Sequence, residues 1–417
     1  MRAYLFVDMV QRVLRYNGLS VRFVMNITDV GHLTGDADEG EDKMLLAMRR
    51  DGKTAYEIAE FYTQAFLRDL GRLNIDKPDR LTKATDHISE QIAMIQKIET
   101  NGFSYRTRDG IYFDTSKLPS YGRLSRQKAE EKMAGARIAM GEKRHATDFA
   151  LWKFAPAGVE REMIWPSPWG AGFPGWHIEC SAMSTKYLGV PFDIHTGGVD
   201  HISVHHENEL AQTEAATGKL EANVWLHNEF ITMDGGKMSK SLGNVYTIND
   251  LENRGYDPLA YRYLVLGAHY RSKLNFTFGA LTAAQNALNK LRGIVRDWDA
   301  PAVGCAEYEQ KFLDAVNNDL DTPKALALLW QIVDDPAWPT SAKAETILKF
   351  DQVLGLGLDA FVGKPIVGSI EAKDLVAKRE TARQMKDWKE SDRLRDEILA
   401  LGFTVEDTPQ GPKLHQR

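Results

Sequence analysis

Three side chains in the middle of the chain have the chemistry and spacing of metal ligands. The stretch HHENELAQTEAA places His205 and Glu209 four residues apart, so a helix would set both on one face. Cys180 lies in GWHIECSAM, where a helix is predicted to begin, and a thiol at a helix N-terminus has a lowered pKa. These three ligands would leave one position of a zinc ion open. His177 and His206 are competing candidates that spacing alone does not exclude.

Two glycine-containing segments carry groups that suit a nucleotide. FDIHTGGVD predicts a short strand ending at Gly197 and Gly198, where the backbone could approach a nucleotide while Asp200 accepts from a hydroxyl. DGGKMSKSLGN, residues 234–244, holds two lysines, and lysines on a mobile loop can stabilise a leaving pyrophosphate. An exposed hydrophilic loop would explain most such clusters, but it explains poorly why Met238 interrupts this one.

Length and composition favour a globular enzyme of several domains. The 417 residues are 43% hydrophobic and 10% aromatic, which is enough for a large core and two to four domains. Neither a run of about 18 apolar residues nor a secretion signal is recognisable, so we expect a cytoplasmic protein. Cys180 and Cys305 give no disulfide framework. The net charge of −6 argues weakly against bulk capture of nucleic acid.

The elements that must position these groups follow an α/β pattern. Leu5, Met9 and Val13 predict an amphipathic helix, and Gly18 and the strand SVRFVMNIT follow it, as in the second half of a βαβ unit. We therefore predict a Rossmann-like parallel-sheet domain whose first strand is missing. Short strands such as GIYFDT from residue 102 indicate an inserted subdomain.

Beyond residue 244 the pattern is mostly helical. Thr322, followed by Pro323, is the predicted N-cap of one helix, and Ser391 is the predicted cap of another. Basic residues recur at helical spacing in the C-terminal region, and they form either a solvated face balanced by acidic neighbours or a contact for RNA. These residues are Arg379, Arg383, Lys386 and Lys389.

Several segments match signatures of one enzyme family in the same order. KMSKS, residues 237–241, is identical to a signature of class I aminoacyl-tRNA synthetases. NITD, PSPWGAGFPGWHIECSAM, GGVD, HHENE and the C-terminal KDWKESDRLRDEIL resemble the cysteinyl-tRNA synthetases in particular. The resemblance covers nearly the whole chain. It implies a ligase that uses ATP to activate L-cysteine as cysteinyl-adenylate and transfers the cysteinyl group to cysteine tRNA.

The resemblance also implies a domain organisation and an expected assembly. A monomer without membrane association is the family expectation. The chain would combine a Rossmann-like catalytic domain, a connective subdomain, a stem-contact region with the KMSKS loop, and a helical anticodon-binding domain that ends in a small α/β piece. The predicted bounds, in that order, are residues 1–101 with 166–232, 102–165, 233–304 and 305–417.

Roles of single residues follow from the same resemblance. Cys180, His205 and Glu209 match the family's zinc ligands, so one Zn²⁺ per chain is expected, with a bond to the substrate thiolate that serine cannot reproduce. ATP is expected with Mg²⁺. The other implied residues are Thr28 and Trp176 for cysteine, Lys237 and Lys240 as catalytic lysines, of which Lys240 contacts the ATP phosphates, and Gly198 and Asp200 for ATP.

The chain departs from the family pattern at its first residues. The family's first strand, a zinc-ligand cysteine and the HIGH-type tetrapeptide have no counterpart ahead of Arg2. Loss of one such contact typically costs on the order of 100-fold in rate. We therefore expect only weak cysteine-dependent exchange between ATP and pyrophosphate, and exchange at rates typical of the family would contradict this expectation. The acidic segment 31–42 is a second departure.

Two alternative functions stay open at this point. A related ligase would pass activated cysteine to a non-tRNA amine such as an amino sugar, but the C-terminal segment favours tRNA. A non-catalytic paralogue would bind cysteine or tRNA only. Retention of KMSKS and of three zinc ligands argues mildly against that alternative, and a tRNA-binding assay beside an adenylation assay would distinguish the paralogue from a tRNA ligase.

Overall fold

A computed structural model describes residues 1–31, 43–126, 142–155, 161–238, 243–364, 370–408 and 411–416. The chain divides into two compact units. The first comprises Met1–Asp250 with Ala268–Phe276, and the second comprises Leu251–Gly267 with Thr277–Arg417. The acidic segment, apart from Gly31, and Lys240 lie outside the described residues.

The first unit is an α/β structure. Its helices are α1 (Arg2–Tyr16), α2 (Lys43–Asp51), α3 (Ala55–Arg72), α4 (Ile88–Thr100), α5 (Trp176–Leu188) and α6 (His205–Thr217). Its strands are β1 (Val24–Ile27), β2 (Arg80–Lys83), β3 (Ser104–Arg106), β4 (Gly110–Phe113), β5 (Phe149–Phe154), β6 (Gly172–Pro174), β7 (Phe192–Gly198), β8 (Ala222–Asn228), β9 (Ile231–Met233), β10 (Gly236–Lys237) and β11 (Leu274–Phe276).

Two parallel strand pairs form the part of this unit that resembles a Rossmann fold. β1 pairs with β2, and β7 pairs with β8, each in parallel register. Among the described strands the two pairs are not joined to each other. Leu5, Met9 and Val13 are buried along one face of α1, as their spacing predicts. The prediction of a Rossmann-like parallel-sheet domain is therefore confirmed.

An antiparallel sheet with the order β3-β4-β5-β6 supports the helix that carries Cys180. Ile111, Phe113, Leu151 and Trp152 are almost fully buried in one apolar cluster that also includes residues of α4, α5 and α6. β4 confirms the strand predicted for GIYFDT. This sheet lies in the same compact unit as the parallel pairs, and the separate subdomain 102–165 stays a prediction.

Gly175 connects this sheet to α5, and an alanine there is expected to destabilise the first unit. A Cβ atom at Gly175 would overlap the backbone carbonyl of Ala150, which cannot move aside as a side-chain end could. We expect Gly175→Ala to lower the free energy of unfolding by about 3 kcal/mol, the upper range for overpacking. Urea denaturation measures this loss. Gly71→Ala is the control, because open space surrounds Gly71, and equal stability of both variants would contradict the prediction.

The second unit is mainly helical, as predicted for the C-terminal region. Helix α7 (Ile248–Asn253) leads from the first unit into it. Its other helices are α8 (Pro258–Leu266), α9 (Phe278–Arg296), α10 (Ala306–Asn317), α11 (Thr322–Asp334), α12 (Thr340–Leu354), α13 (Ile370–Gln384) and α14 (Trp388–Ala400). They are followed by an antiparallel hairpin of β12 (Phe403–Thr408) and β13 (Gly411–Gln416). In the part of the chain that the structure describes, no helix is both long and apolar enough to cross a membrane.

Both helix caps predicted for this unit are wrong. Asp321, not Thr322, caps α11, and Asp387, not Ser391, caps α14. Each aspartate accepts a hydrogen bond of 3.1 Å from the backbone N–H three residues further on. A carboxylate also interacts favourably with the positive end of the helix, so an aspartate beside a candidate serine or threonine is the better cap.

Two of the four spaced basic residues have partners within this unit. Arg379 is buried and donates two hydrogen bonds to Asp407, at 2.7 and 3.0 Å. Arg383 forms an ion pair of 3.0 Å with the same carboxylate. These two arginines therefore fasten α13 to β12, whereas Lys386 and Lys389 are exposed and the alternative of an RNA contact stays open for them.

Candidate metal centre and substrate cavity

Helices α5 and α6 bring the three predicted zinc ligands together. Cys180 lies in the fifth position of α5, and His205 and Glu209 lie one turn apart at the start of α6. The thiol sulfur, a ring nitrogen and a carboxylate oxygen all lie within 4.8 Å of one another. Zinc bonds to nitrogen and sulfur of about 2.1 and 2.3 Å at tetrahedral angles hold two donors about 3.6 Å apart. Small side-chain shifts would therefore close this set on one ion.

His177 orients His205 and is not part of this set. Its Nδ1 atom lies 2.9 Å from Nδ1 of His205, whose Nε2 atom lies 2.8 Å from Oε1 of Glu209. Nδ1 of His205 thus contacts the His177 imidazole, while Nε2 of His205 faces the other candidate ligands. Metal-binding histidines are usually held by such a second contact, which fixes the tautomer and the ring orientation.

Glu209 is a buried carboxylate whose local environment favours a cation. It has no exposed surface, and neither of its oxygens accepts a hydrogen bond from a described residue. The approach of His205 Nε2 at 2.8 Å lies outside hydrogen-bond geometry. Burial raises the pKa of Glu209 well above its usual value, because the site penalises an uncompensated charge. A divalent cation would supply the missing compensation, so these residues fit a metal ion.

The expected lowering of the Cys180 pKa is wrong for the protein by itself. Burial, and after it the carboxylates Glu209, Glu179 and Glu221, raise the pKa of the thiol well above its usual value. Cys180 lies one turn beyond the start of α5, where the influence of the helix N-terminus has faded. Binding of a cation would displace protons from the thiol and from Glu209.

The other competing candidate, His206, belongs to a second group of potential ligands that also includes Glu209. His195, His206 and Glu209 each offer one ligand atom, and these atoms lie within 4.8 Å of one another. His195 was not predicted from the sequence. A signal was present, because His195 and Gly197 alternate along β7 and thus face the same side, but the spacing does not reveal what lies opposite that side.

A cavity of about 1120 Å³ adjoins the candidate metal centre. Thr28, Trp176 and Gly198, all predicted substrate contacts, line it together with Cys180. Its walls include residues of both parallel strand pairs as well as α1 and α3. Asp200 is not among the lining residues and lies in the turn that follows β7. The cavity thus brings the two predicted amino-acid contacts to the candidate metal centre.

Asn26 connects the pocket strand to the candidate metal centre. Its Nδ2 atom lies 3.3 Å from both Oγ1 of Thr28 and Sγ of Cys180, and it donates to both. This role of Asn26 was not predicted from the sequence, although Asn26 is the first residue of the NITD segment. The centroid of the Trp176 ring lies 4.4 Å from that of the His205 ring, so the indole packs directly beside the candidate metal centre.

The structure describes only part of the KMSKS segment. Lys237 ends β10, and its backbone pairs with Thr232 of β9. Glycines with positive φ, Gly235 and Gly243, lie on either side of the segment. Lys240 and the side chain of Lys237 lie outside the described residues, so their roles stay predictions.

Glu207 fastens the other side of α6 to the segment that follows β4. Its buried carboxylate accepts hydrogen bonds from the backbone N–H groups of Gly122 and Ser125, at 2.9 and 2.7 Å. The neighbouring Asn208 accepts a hydrogen bond from the hydroxyl of Tyr121 at 2.7 Å. These contacts fix the rotation of α6 and hence the direction of His205 and Glu209.

Comparison with known proteins places these features in one family. Residues 1–286 match the family model described as tRNA synthetases class I (C) catalytic domain, and residues 369–413 match the cysteinyl-tRNA ligase anticodon binding domain. Cysteine–tRNA ligase 1 of Burkholderia lata is 53% identical over 417 residues, covering 99% of this chain and 88% of the relative. Cysteine–tRNA ligase of Treponema denticola is 42% identical over 441 residues, covering 98% and 90%.

Solved structures support the fold assignment. The Mycobacterium tuberculosis methionyl-tRNA synthetase bound by methionyl-adenylate has a TM-score of 0.59 at 15% identity, with 86% of this chain and 89% of that chain covered. At that identity the likeness concerns the fold only. The sequence relatives, in contrast, cover nearly the whole chain, and the two family models match residues 1–286 and 369–413 within it. The chain therefore belongs to the cysteine–tRNA ligase family of class I aminoacyl-tRNA synthetases.

Proposed function

We propose that this chain attaches L-cysteine to cysteine tRNA in two ATP-dependent steps and selects cysteine with a zinc ion. One observation carries this proposal: the convergence of Cys180, His205 and Glu209 beside a cavity that Thr28 and Trp176 line. The proposed ligand set is soft enough for zinc through its thiolate and leaves a coordination position open toward substrate.

Recognition of cysteine would depend on thiolate coordination. Zinc, when bound, supplies a positively charged centre with an open position for the substrate thiolate. Around it, Asn26 holds Cys180 by a hydrogen bond, and His177 holds the ring of His205. The Trp176 ring packs against the ring of His205. Serine has no thiolate to offer, so a site built around this one group rejects it strongly.

Activation of cysteine would use groups at the nucleotide side of the cavity. An oxygen of the cysteine carboxylate attacks the α-phosphorus of Mg²⁺–ATP, and pyrophosphate leaves with its bonding electrons. We assign Lys240, with Lys237 beside it, to neutralise charge on the phosphates. We assign Gly198 to the close approach of the nucleotide to the strand end, and the exposed Asp200 carboxylate to accepting a hydrogen bond from the adenosine.

Transfer to tRNA is favoured over transfer to a smaller amine. In this step a terminal ribose hydroxyl attacks the carbonyl carbon of the adenylate, and AMP leaves. The match of residues 369–413 to an anticodon-binding domain supports a tRNA acceptor, because an amino-sugar acceptor gives such a domain nothing to bind. We also propose that the chain acts as a cytoplasmic monomer, which size-exclusion chromatography with light scattering tests.

Replacement of Lys240 by alanine tests the phosphate role. We expect cysteinyl-adenylate formation to fall about 100-fold, as for removal of one group that stabilises transition-state charge. Cysteine binding should stay unchanged, because Lys240 is assigned to ATP alone. Single-turnover adenylate formation and calorimetric cysteine binding measure the two effects. Lys219→Ala is the control, since Lys219 is an exposed lysine of the same unit. If Lys240→Ala and Lys219→Ala lost adenylate formation to the same extent, the phosphate role of Lys240 would be contradicted.

The function as a whole is tested by charging. The chain, loaded with one equivalent of Zn²⁺, is incubated with ATP, radiolabelled cysteine and cysteine tRNA, and in parallel with glucosamine-type amines. Cysteine found on tRNA supports the proposal. Cysteine found on the amine favours the alternative acceptor, and tRNA binding without any adenylate formation favours the non-catalytic paralogue.

A further inference from the structure

The two oxygens of Glu209 face two different groups of ligands. Oε1 lies 2.8 Å from Nε2 of His205, on the side of Cys180, whereas Oε2 lies 3.5 Å from Nε2 of His195. Neither oxygen accepts a hydrogen bond from a described residue. A single cation held with Cys180 and His205 uses one oxygen, which leaves the other oxygen buried and directed at His195.

The second group of side chains also has the number and types of ligand that a metal ion needs. His195, His206 and Glu209 are two imidazoles and a carboxylate with ligand atoms within 4.8 Å of one another. Two histidines and one glutamate form an established type of three-ligand zinc site. All three residues line the cavity, so a cation has a path from solvent.

His206 is held as metal-binding histidines usually are. Its Nδ1 atom lies 2.8 Å from Nε2 of His227, which fixes the ring and leaves Nε2 of His206 as the second donor. That Nε2 atom would lie 2.8 Å from a Cβ atom at Gly197, so the ring can rest against β7 only because residue 197 is glycine. The ring is thus seated on the strand that carries His195.

We propose that His195, His206 and Glu209 form a second cation subsite, which shares the Glu209 carboxylate with the cysteine-binding zinc site and takes a divalent transition metal such as Zn²⁺ or Co²⁺. This inference rests on the proposed first site. A carboxylate that bridges two cations commonly holds them about 3.5–4 Å apart. Because the cations repel each other and only the first has a thiolate ligand, the second ion binds more weakly.

Titration of the chelator-treated full chain with Co²⁺ tests the subsite. The wild-type chain is expected to bind two equivalents, the first with a thiolate-to-cobalt charge-transfer band and the second with added ligand-field absorption only. His195→Ala should bind one equivalent and keep the charge-transfer band. Cys180→Ser should lose that band. His201→Ala, which removes a histidine that contacts the His205 and His206 rings but belongs to neither group, should still bind two equivalents.

The possible results of this titration distinguish a failure of the second subsite from a failure of the proposed function. One equivalent in the wild-type chain, with the charge-transfer band present, overturns the subsite and leaves the cysteine-binding site intact. Two equivalents in His195→Ala also overturn it. A wild-type titration without any charge-transfer band contradicts the first site, and the inference falls with it. Circular dichroism of each variant shows whether a lost equivalent reflects the missing ligand or an unfolded chain, and His195→Gln replaces an alanine variant that unfolds.

Discussion

Replacing Cys180 with serine is expected to remove the preference for cysteine over serine. The wild-type site should favour cysteine by about 10⁴-fold or more, as expected when recognition depends on one group that the competitor lacks. In the variant the metal loses its only thiolate ligand from this chain, and we expect zinc affinity to fall at least about 100-fold. Serine at position 180 preserves the size of the side chain, so packing of α5 should be unaffected.

Calorimetric titration of L-cysteine and L-serine into the zinc-loaded chain measures this effect. Cys305→Ala is the matched control, because Cys305 is the second cysteine of the chain and lies buried in the other compact unit. It should retain both zinc affinity and cysteine preference. If Cys180→Ser still binds cysteine with wild-type affinity, Cys180 is not a ligand of the selecting metal.

Removal of the metal is expected to destabilise the first unit. A ligand present at 100 to 1000 times its dissociation constant stabilises the folded state by about 2.7 to 4.1 kcal/mol. At about 2 to 4 °C per kcal/mol for a unit of this size, chelation should lower the melting temperature by roughly 5 to 15 °C. The physical reason is that Glu209 is buried and none of the described residues donates a hydrogen bond to it, so the metal compensates a group that is otherwise costly to bury.

Hydrogen exchange locates this effect within the chain. Amides of α6, which carries His205 and Glu209, should lose protection when the metal is removed, whereas amides of α12 in the second unit should not. Glu209→Gln serves as the comparison, since its melting temperature should no longer respond to a chelator. Equal loss of protection in both helices would indicate that the metal acts elsewhere.

Local patterns in the sequence predict those helices and strands whose formation depends on residues that are close together in the sequence. The apolar spacing in α1 and the short strand pattern of GIYFDT in β4 both led to the observed elements. Both cap predictions failed because Asp321 and Asp387 compete for the same helix ends more effectively than a hydroxyl does. The predictions were thus accurate for whole elements and wrong at their first residues.

The candidate site was predictable only where family signatures or helix spacing applied. His205 and Glu209 share one helix, so their spacing already carries the geometry. His195 and Asn26 lie on strands distant in sequence, and nothing local shows that they face Glu209 and Cys180. The direction of the Cys180 pKa shift was wrong because it depends first on burial in the folded chain and then on carboxylates that include Glu209 and Glu221 from other segments, neither of which the local sequence shows.

The most direct test of the account is whether the substrate thiol binds the metal. The chain is loaded with one equivalent of Co²⁺ and titrated with L-cysteine, while the thiolate-to-cobalt charge-transfer band is recorded. Because cysteine would add a second thiolate to that of Cys180, the band is predicted to grow about twofold with L-cysteine and not at all with L-serine. Cysteine binding, measured in parallel by calorimetry, without any change in the band would contradict the proposed role of the metal.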